Sequence, residues 1–300
     1  MTTPQRIGFI GLGMMGAPMV HCLARAGYTL FIADVDQTRT DSLMAETGAA
    51  ALASDNASAL DALITMLPNS AIVDDALMAS SSAWAPRLRK GAVVVDMSSS
   101  EPERSRQLGA TLAEMGLDYL DAPVSGGVKK ARDGTLAILV GGAAAVLERW
   151  TPLLKAMGKS VLHIGPAGAG HAAKALNNYV SAAGLVATVE ALHVARRFGI
   201  EPQAMTDVLN ASSGRSNTSE NKVAQFMLST TFASGFALQL MNKDLKIARA
   251  LAEAVGYPMR LGVPCTDIWD EVARRSTPAT DHTEIYRLLV DGDGAPGGHA

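Results

Sequence analysis

Residues 11–16 read Gly-Leu-Gly-Met-Met-Gly, and their flanks fix what this run means. Arg6–Ile10 is a short apolar run of strand type, and the residues from Gly16 to Ala26 carry a helical period. A chain that passes from strand to helix through glycines at this spacing builds an αβ unit whose turn suits a dinucleotide. Gly11 permits the tight turn, and Gly13 lets a pyrophosphate approach the backbone. Gly16 lets helix and strand pack closely. The first N–H groups of the helix are then available to phosphate oxygens. The candidate cofactor contacts here are Gly11, Leu12, Gly13, Met14, Met15 and Gly16.

The next apolar run, Thr29–Ala33, ends at Asp34, about two dozen residues after Gly11 and near the spacing of a ribose ligand. A carboxylate there accepts hydrogen bonds from ribose hydroxyls and repels a 2′-phosphate. Asp34 therefore predicts NAD over NADP. Two alternatives stay open: Asp34-Val35-Asp36 also suits a strand-end turn, and Arg39 offers a cation to a phosphate.

Short apolar runs recur at Ala62–Met66, Ala92–Asp96, Asp118–Asp121, Leu136–Val140 and Val161–Ile164, with helical periods between them. This alternation predicts an α/β fold, a Rossmann-type doubly wound parallel sheet with helices on both faces. Past the turn cluster Pro166, Gly168 and Gly170 no strand pattern follows, only long helical periods. The expected division is a dinucleotide-binding domain over 1–165 and an all-α domain over 166–300, its Gly-rich tail 291–300 unpacked. Hydrophobic residues make up 48% of the chain and charged residues 18%, enough apolar material for a sizeable core. A net charge of −3 argues against nucleic acid as a partner. No apolar run reaches the roughly 18 residues of a membrane span, and no secretory signal is visible, so the expected setting is cytoplasmic. The two cysteines, Cys22 and Cys265, match no metal-ligand spacing and are expected as buried free thiols, with nothing basic beside Cys22.

Several blocks in order give a more specific signal. They are Gly8–Met19, Met66-Leu-Pro-Asn69, Asp96-Met-Ser-Ser99 with Pro102, Asp121-Ala-Pro-Val-Ser-Gly-Gly127, Gly168-Ala-Gly-His-Ala-Ala-Lys174 with Asn177-Asn178, and Lys243-Asp-Leu245. Together they resemble the beta-hydroxyacid dehydrogenase family over nearly the whole chain, from Ile7 to about Leu289. The resemblance implies oxidation of a small hydroxy acid by hydride transfer to NAD, with Lys174 as the acid/base group. The residues agree with that role. Lys174 lies on the first turns of an apolar helix, a setting that disfavours the charged amine, although spacing alone equally allows a lysine that snorkels to the surface. Asn178, one turn on, is implied as a substrate ligand on the same helix face. Ser125, Gly126 and Gly127 are implied as a clamp for the substrate carboxylate. Leu67 and Pro68 are implied over the cofactor, Ser99 near its nicotinamide half, and Lys243 as a contact from the helical domain. His171 reads as a helix-start residue, although a second base is conceivable at that position. Asn177 is read as structural and Asp244 as a helix-surface or intersubunit residue.

Within the family, Ser212-Ser-Gly-Arg-Ser216 resembles the 3-hydroxyisobutyrate dehydrogenases, although Asn217 replaces their aromatic. The blocks at Met66–Ser70 and Asp121–Gly127 are shared with tartronate semialdehyde reductases. A homodimer or homotetramer is implied. A non-catalytic NAD(P)-sensing protein and an imine reductase are the readings from other classes. Both are disfavoured because Lys174 and the Ser-Gly-Gly block are present together.

Overall fold

The computed structural model describes residues 5–79 and 83–290; the tail at 291–300 lies outside them. The chain divides into two compact units, Met1–Lys174 and Ala175–Ala300.

The first unit is built on a nine-stranded sheet of order β3-β2-β1-β4-β5-β6-β8-β7, with β9 added on β8. The strands are β1 (Arg6–Ile10), β2 (Thr29–Ala33), β3 (Ala50–Ala51), β4 (Ala62–Thr65), β5 (Val93–Asp96), β6 (Asp118–Asp121), β7 (Val124–Ser125), β8 (Leu136–Gly142) and β9 (Gly158–Gly165). Helices α1 (Gly16–Arg25), α2 (Gln37–Thr47), α3 (Ser70–Asp74), α4 (Pro102–Glu114), α5 (Gly127–Arg132) and α6 (Ala144–Lys155) connect them. Every residue of β4 and β5 is buried, as a parallel strand covered on both faces requires. Alternate residues feed separate cores. Val93 and Val95 join Met19, Leu23 and Trp150 on one face, while Val94 and Leu63 join Val73, Leu108 and Leu112 on the other.

The expected doubly wound sheet is present, but it is mixed rather than wholly parallel. β8 runs antiparallel to β6 and β7. Only ten residues separate Ser125 from Leu136, and α5 occupies six of them, too few for the crossover that a parallel partner needs. The helical stretch after β4 is not uniform: α3 ends at Asp74 and a π-helical turn continues over Asp75–Ala79.

The parallel strands end in one row. Ile10 pairs with Ala33 and with Thr65, Thr65 with Asp96, and Asp96 with Asp121. The loops that leave these ends therefore emerge side by side along one edge of the sheet, and the candidate residues of this unit other than Lys174 lie on or just beyond them. The sheet order reverses at β1, the place where open α/β sheets bind ligands.

After β9 the chain enters α7 (Ala169–Phe198), a 30-residue helix. The remaining helices are α8 (Pro202–Ala211), α9 (Asn217–Asn221), α10 (Leu238–Ala254), α11 (Gly262–Arg274) and α12 (Ile285–Leu288). In the second unit Leu185, Val189 and Leu192 of α7 form a stripe that packs with Leu238, Met241, Leu245, Trp269 and Ile285. Among the described residues no helix is long and apolar enough to cross a membrane.

Asp281 anchors this unit. Its carboxylate accepts hydrogen bonds from the Ser234 hydroxyl, Gly235 N–H, and the N–H and hydroxyl of Thr283. Glu284 returns a bond to the Asp281 N–H, completing a capping box. Burial raises the carboxyl pKa, but the donors of His282, Thr283 and Ser234 outweigh it and hold the group well below the usual carboxylate range. A depressed folded pKa stabilises fully above the unfolded value of about 3.9 and is lost as pH falls through the folded value. Asp281→Ala should lower the unfolding free energy by about 3 kcal/mol at pH 7 in urea melts. The gap between wild type and Asp281→Asn should stay constant from pH 8 to 5 and narrow below about pH 4; a pH-independent gap would refute this role of the carboxylate.

Candidate active site

The glycine loop follows β1 with the geometry its sequence requires. Gly11 has φ +99°, and a Cβ there would overlap the Met66 carbonyl oxygen. A Cβ on Gly16 would overlap the Gly11 carbonyl, so helix and turn close on each other through bare backbone. At Gly13 the opposite holds: a Cβ would meet nothing within 4 Å. That absence of neighbours, at the start of a helix whose N-cap residue Met15 makes no side-chain cap, fits a pyrophosphate lying against the loop.

Asp34 sits beside this loop, at the end of β2. Its Oδ2 accepts the Leu12 N–H at 2.6 Å and its Oδ1 accepts the Asp36 N–H at 2.9 Å. The carboxylate thus braces the loop, and each oxygen retains a lone pair for a ribose hydroxyl. Arg39 pairs with Asp36 at 3.2 Å, and Asp36 also caps α2.

The loops after β4 and β5 are tied together. The Leu67 N–H donates to Ser98 Oγ at 2.9 Å. Asp96, 1% exposed, accepts from the Thr65 hydroxyl, the Ser98 N–H and the Ser100 hydroxyl. Pro68 follows directly on Leu67, and Ser99 on Ser98. The backbone expected over the cofactor is therefore held from beneath by one buried carboxylate.

The end of β6 governs the start of α7. Asp121 Oδ1 accepts the Gly168 N–H at 2.7 Å and Oδ2 the His171 N–H at 2.9 Å. Lys174 follows one turn later, and its Nζ donates to the Val124 carbonyl at 2.8 Å. The amine thus lies at the residue that precedes Ser125, Gly126 and Gly127. Both glycines have positive φ, +136° and +69°. Within the first unit the structure brings together Lys174 and the expected clamp, and aligns Leu67, Pro68, Ser99, Asp34 and the glycine loop along one sheet edge.

In the second unit Asn178 is 9% exposed and donates through Nδ2 to Asp244 Oδ2 at 2.6 Å. Asn177 Nδ2 donates to Asn178 Oδ1 at 3.2 Å, in keeping with a structural part for Asn177. Asp244, expected as a helix-surface or intersubunit residue, is not at the helix surface: it is 3% exposed and is drawn inward as Asn178's acceptor. Lys243, its neighbour on α10, has Nζ 3.9 Å from Asp244 Oδ1.

One further expectation changes. Cys22 has a basic neighbour after all, since Arg25 Nη2 lies 3.1 Å from its sulfur. Burial outweighs that arginine and pushes the thiol up; burial pushes Cys265 up to about 11. Both are buried free thiols. His171, expected as a helix-start residue with a second base as the alternative, does lie in the first turn of α7, and it is also 1% exposed and bonded through both ring nitrogens. The roles of Asp96 and Asp121 were missed in the sequence, although a lone carboxylate closing each of two strands, Val-Val-Val-Asp and Asp-Tyr-Leu-Asp, was a usable signal.

Comparison with known proteins places this geometry. Residues 6–165 match the family described as the NAD binding domain of 6-phosphogluconate dehydrogenase. Residues 168–289 match the NAD-binding family of NADP-dependent 3-hydroxyisobutyrate dehydrogenase. The chain is 38% identical to 2-(hydroxymethyl)glutarate dehydrogenase of Eubacterium barkeri, covering 88% of each chain. It is 34% identical to the NAD-dependent L-serine dehydrogenase of Pseudomonas aeruginosa, covering 95% of this chain and 98% of the relative. Among solved structures, Mycobacterium tuberculosis 3-hydroxyisobutyrate dehydrogenase with L-serine superposes with a TM-score of 0.88 at 32% identity, covering 96% of this chain and 99% of that one.

The contrast between Gly13 and Gly16 yields a direct test. Gly13→Ala should leave the melting temperature unchanged, since no atom lies in the way, yet weaken dinucleotide binding at least about tenfold. Gly16→Ala should destabilise the fold by about 1–3 kcal/mol, because backbone must move. Calorimetry and fluorescence titration of both variants check this; equal melting losses in the two would contradict it.

Proposed function

Because the chain belongs to the beta-hydroxyacid dehydrogenase family, we propose that it oxidises a short 3-hydroxy acid of the 3-hydroxyisobutyrate class with NAD, using Lys174 as acid and base. In broader terms the protein is an NAD(P)-dependent oxidoreductase acting on CH–OH groups, a 3-hydroxyacid dehydrogenase. One observation carries the finer proposal: Lys174 Nζ is held on the Val124 carbonyl, next to Ser125, Gly126 and Gly127.

The division of labour follows from that contact. The Ser125 hydroxyl and the N–H groups of Gly126 and Gly127 take the substrate carboxylate. The substrate hydroxyl, a few bonds away, then falls to the neighbouring amine. One amine N–H is spent on Val124, which fixes the group's direction. The neutral amine takes the hydroxyl proton during oxidation, and the ammonium returns it to a carbonyl oxygen during reduction. Asn178, oriented by Asp244, retains an amide N–H and an oxygen lone pair for the substrate. Bound nicotinamide supplies the hydride acceptor. Gly11–Gly16, Leu67, Pro68, Ser99 and Lys243 hold the dinucleotide.

NAD is preferred in this proposal. Asp34 would repel a 2′-phosphate, and the nearby Arg39 is occupied by Asp36. The proposed division remains a dinucleotide-binding domain over 1–165 and a helical domain over 166–300. A homo-oligomer in the cytoplasm is proposed as well. Its support is the exposed apolar surface of α7 at Val180, Val194 and Phe198, together with the two unpaired buried thiols. Light scattering that returns a monomer mass would remove the oligomer.

Absorbance of NADH with 3-hydroxyisobutyrate, glycerate, serine, threonate and 4-hydroxybutyrate tests the whole proposal. Wild type should turn over 3-hydroxyisobutyrate best, and Lys174→Ala should lose about 10³-fold in kcat. Full turnover by that variant on every acid would sink Lys174 as the acid/base group. Asp34→Ser should lower kcat/KM for NAD by about tenfold or more and raise it for NADP; an unchanged cofactor ratio would remove Asp34 as the discriminator.

A further inference from the structure

Four buried ionisable groups, Asp121, His171, Asp96 and Tyr119, meet where α7 begins, and only one of them is needed to cap the helix. Asp121 accepts the Gly168 and His171 N–H groups. The His171 ring then reaches away from α7, toward the loops after β5. Its Nε2 lies 3.1 Å from the Ser98 carbonyl. A carbonyl oxygen only accepts, so Nε2 carries a proton. Its Nδ1 lies 2.8 Å from the Ser105 hydroxyl, whose single hydrogen is within reach of Nδ1 and, at 3.1 Å, of the Glu101 carbonyl; with Nε2 protonated and the imidazole neutral, that hydrogen is given to Nδ1. The Asp96 and Asp121 carboxylates stand 3.8 Å from the two ring nitrogens. Tyr119, also buried here, is kept neutral, because burial and then those two carboxylates push its hydroxyl well above its ordinary value.

Two consequences follow. With both nitrogens engaged by protein, His171 is not a second base for the substrate. Its partners also join two parts that the chemistry must keep in register. Ser98, whose carbonyl holds the ring, also accepts the Leu67 N–H on its hydroxyl and precedes Ser99. His171 itself lies three residues before Lys174 on the same helix. One imidazole therefore links the turn that carries the acid/base amine to the loops proposed to lie over the dinucleotide.

We propose that His171 is a positioning residue that sets the Lys174 turn of α7 in register with the Leu67–Ser99 loops, so that proton and hydride leave the same carbinol at matched distances. Misplacement of a reacting group by about 1 Å can cost a hundredfold in rate, so a rigid link of this kind matters to kcat more than to binding. The inference deepens the function proposed above and rests on Lys174 being the acid/base group.

The test compares His171→Leu, His171→Gln and Ser105→Ala in the full chain, using the best-oxidised acid of the five above and its carbinol-deuterated form. His171→Leu should lower kcat by about 30- to 100-fold and raise the deuterium isotope effect on kcat. Its NADH affinity by fluorescence should stay within about threefold of wild type. Gln offers an N–H to Ser98 and an oxygen to Ser105, so it should restore most of the rate. Wild-type kcat and isotope effect in a folded His171→Leu would overturn the proposal. So would losses that follow melting temperature equally in Leu and Gln variants, with the isotope effect unmoved. Should His171→Leu fail to fold, Ser105→Ala carries the test, with about a fivefold loss in kcat and a raised isotope effect expected; no change in either overturns it. Full turnover by Lys174→Ala removes the function on which this rests, whereas an inactive Lys174→Ala beside a fully active His171→Leu removes only the present inference.

Discussion

A single buried carboxylate decides where the longest helix of the protein starts. Asp121 is 0% exposed, and a carboxyl group in such a place is tolerable only when it is hydrogen-bonded. The backbone N–H groups of Gly168 and His171 meet that demand, and the first turn of a helix is electrostatically suited to an anion. The approach is so close that a Cβ on Gly170 would collide with the Leu139 carbonyl. Because strand end and helix start are locked in this way, Lys174 arrives one turn later at the Val124 carbonyl. The amine proposed as acid and base is thus placed by a helix start and a strand end, which hold a side chain better than a free loop does.

The same device is repeated along the sheet edge. Asp96 holds the loops after β4 and β5, and Asp34 braces the glycine turn through the Leu12 N–H. In each case a carboxylate at or just beyond the end of a parallel strand gathers donors around that end: backbone N–H groups at Asp34 and Asp121, and the Ser98 N–H with the Thr65 and Ser100 hydroxyls at Asp96. The row Ile10, Ala33, Thr65, Asp96 and Asp121 turns the register of the strands into the register of the loops. A sheet buried on both faces cannot flex at its strand ends without opening two cores, so the edge is a rigid base for the site.

Much of this was legible in the sequence because its causes are local. The glycine turn, the alternation of strand and helix, and the shift to helical periods after Pro166 follow from backbone sterics and hydrophobic periodicity. What stayed hidden depends on distant partners. Nothing near Asp244 tells of Asn178, 66 residues away, so it reads as surface charge until α10 is seen to bring the two together. His171 is a helix-start residue by its neighbours, and only the packing of Ser98 and Ser105 around it gives its ring a task. The antiparallel return of β8 was hidden for a related reason: a short strand such as Val124–Ser125 has no period of its own to read.

Backbone and side chains take different parts in the proposed chemistry, and this governs where the sequence can change. Leu12, Met14, Met15, Leu67 and Pro68 are proposed to bind through main-chain groups, so their side chains are constrained only by packing. There the constraint lies on glycines, whose missing side chains make room. The proposed roles of Lys174 and Asn178, by contrast, each rest on the chemistry of a side chain, an amine in one case and an amide in the other. Those two side chains are one turn apart on α7, each fixed by a different partner, Lys174 by Val124 and Asn178 by Asp244. On the proposed roles, a change in preferred substrate would arise most readily in residues around these two side chains rather than in the side chains themselves.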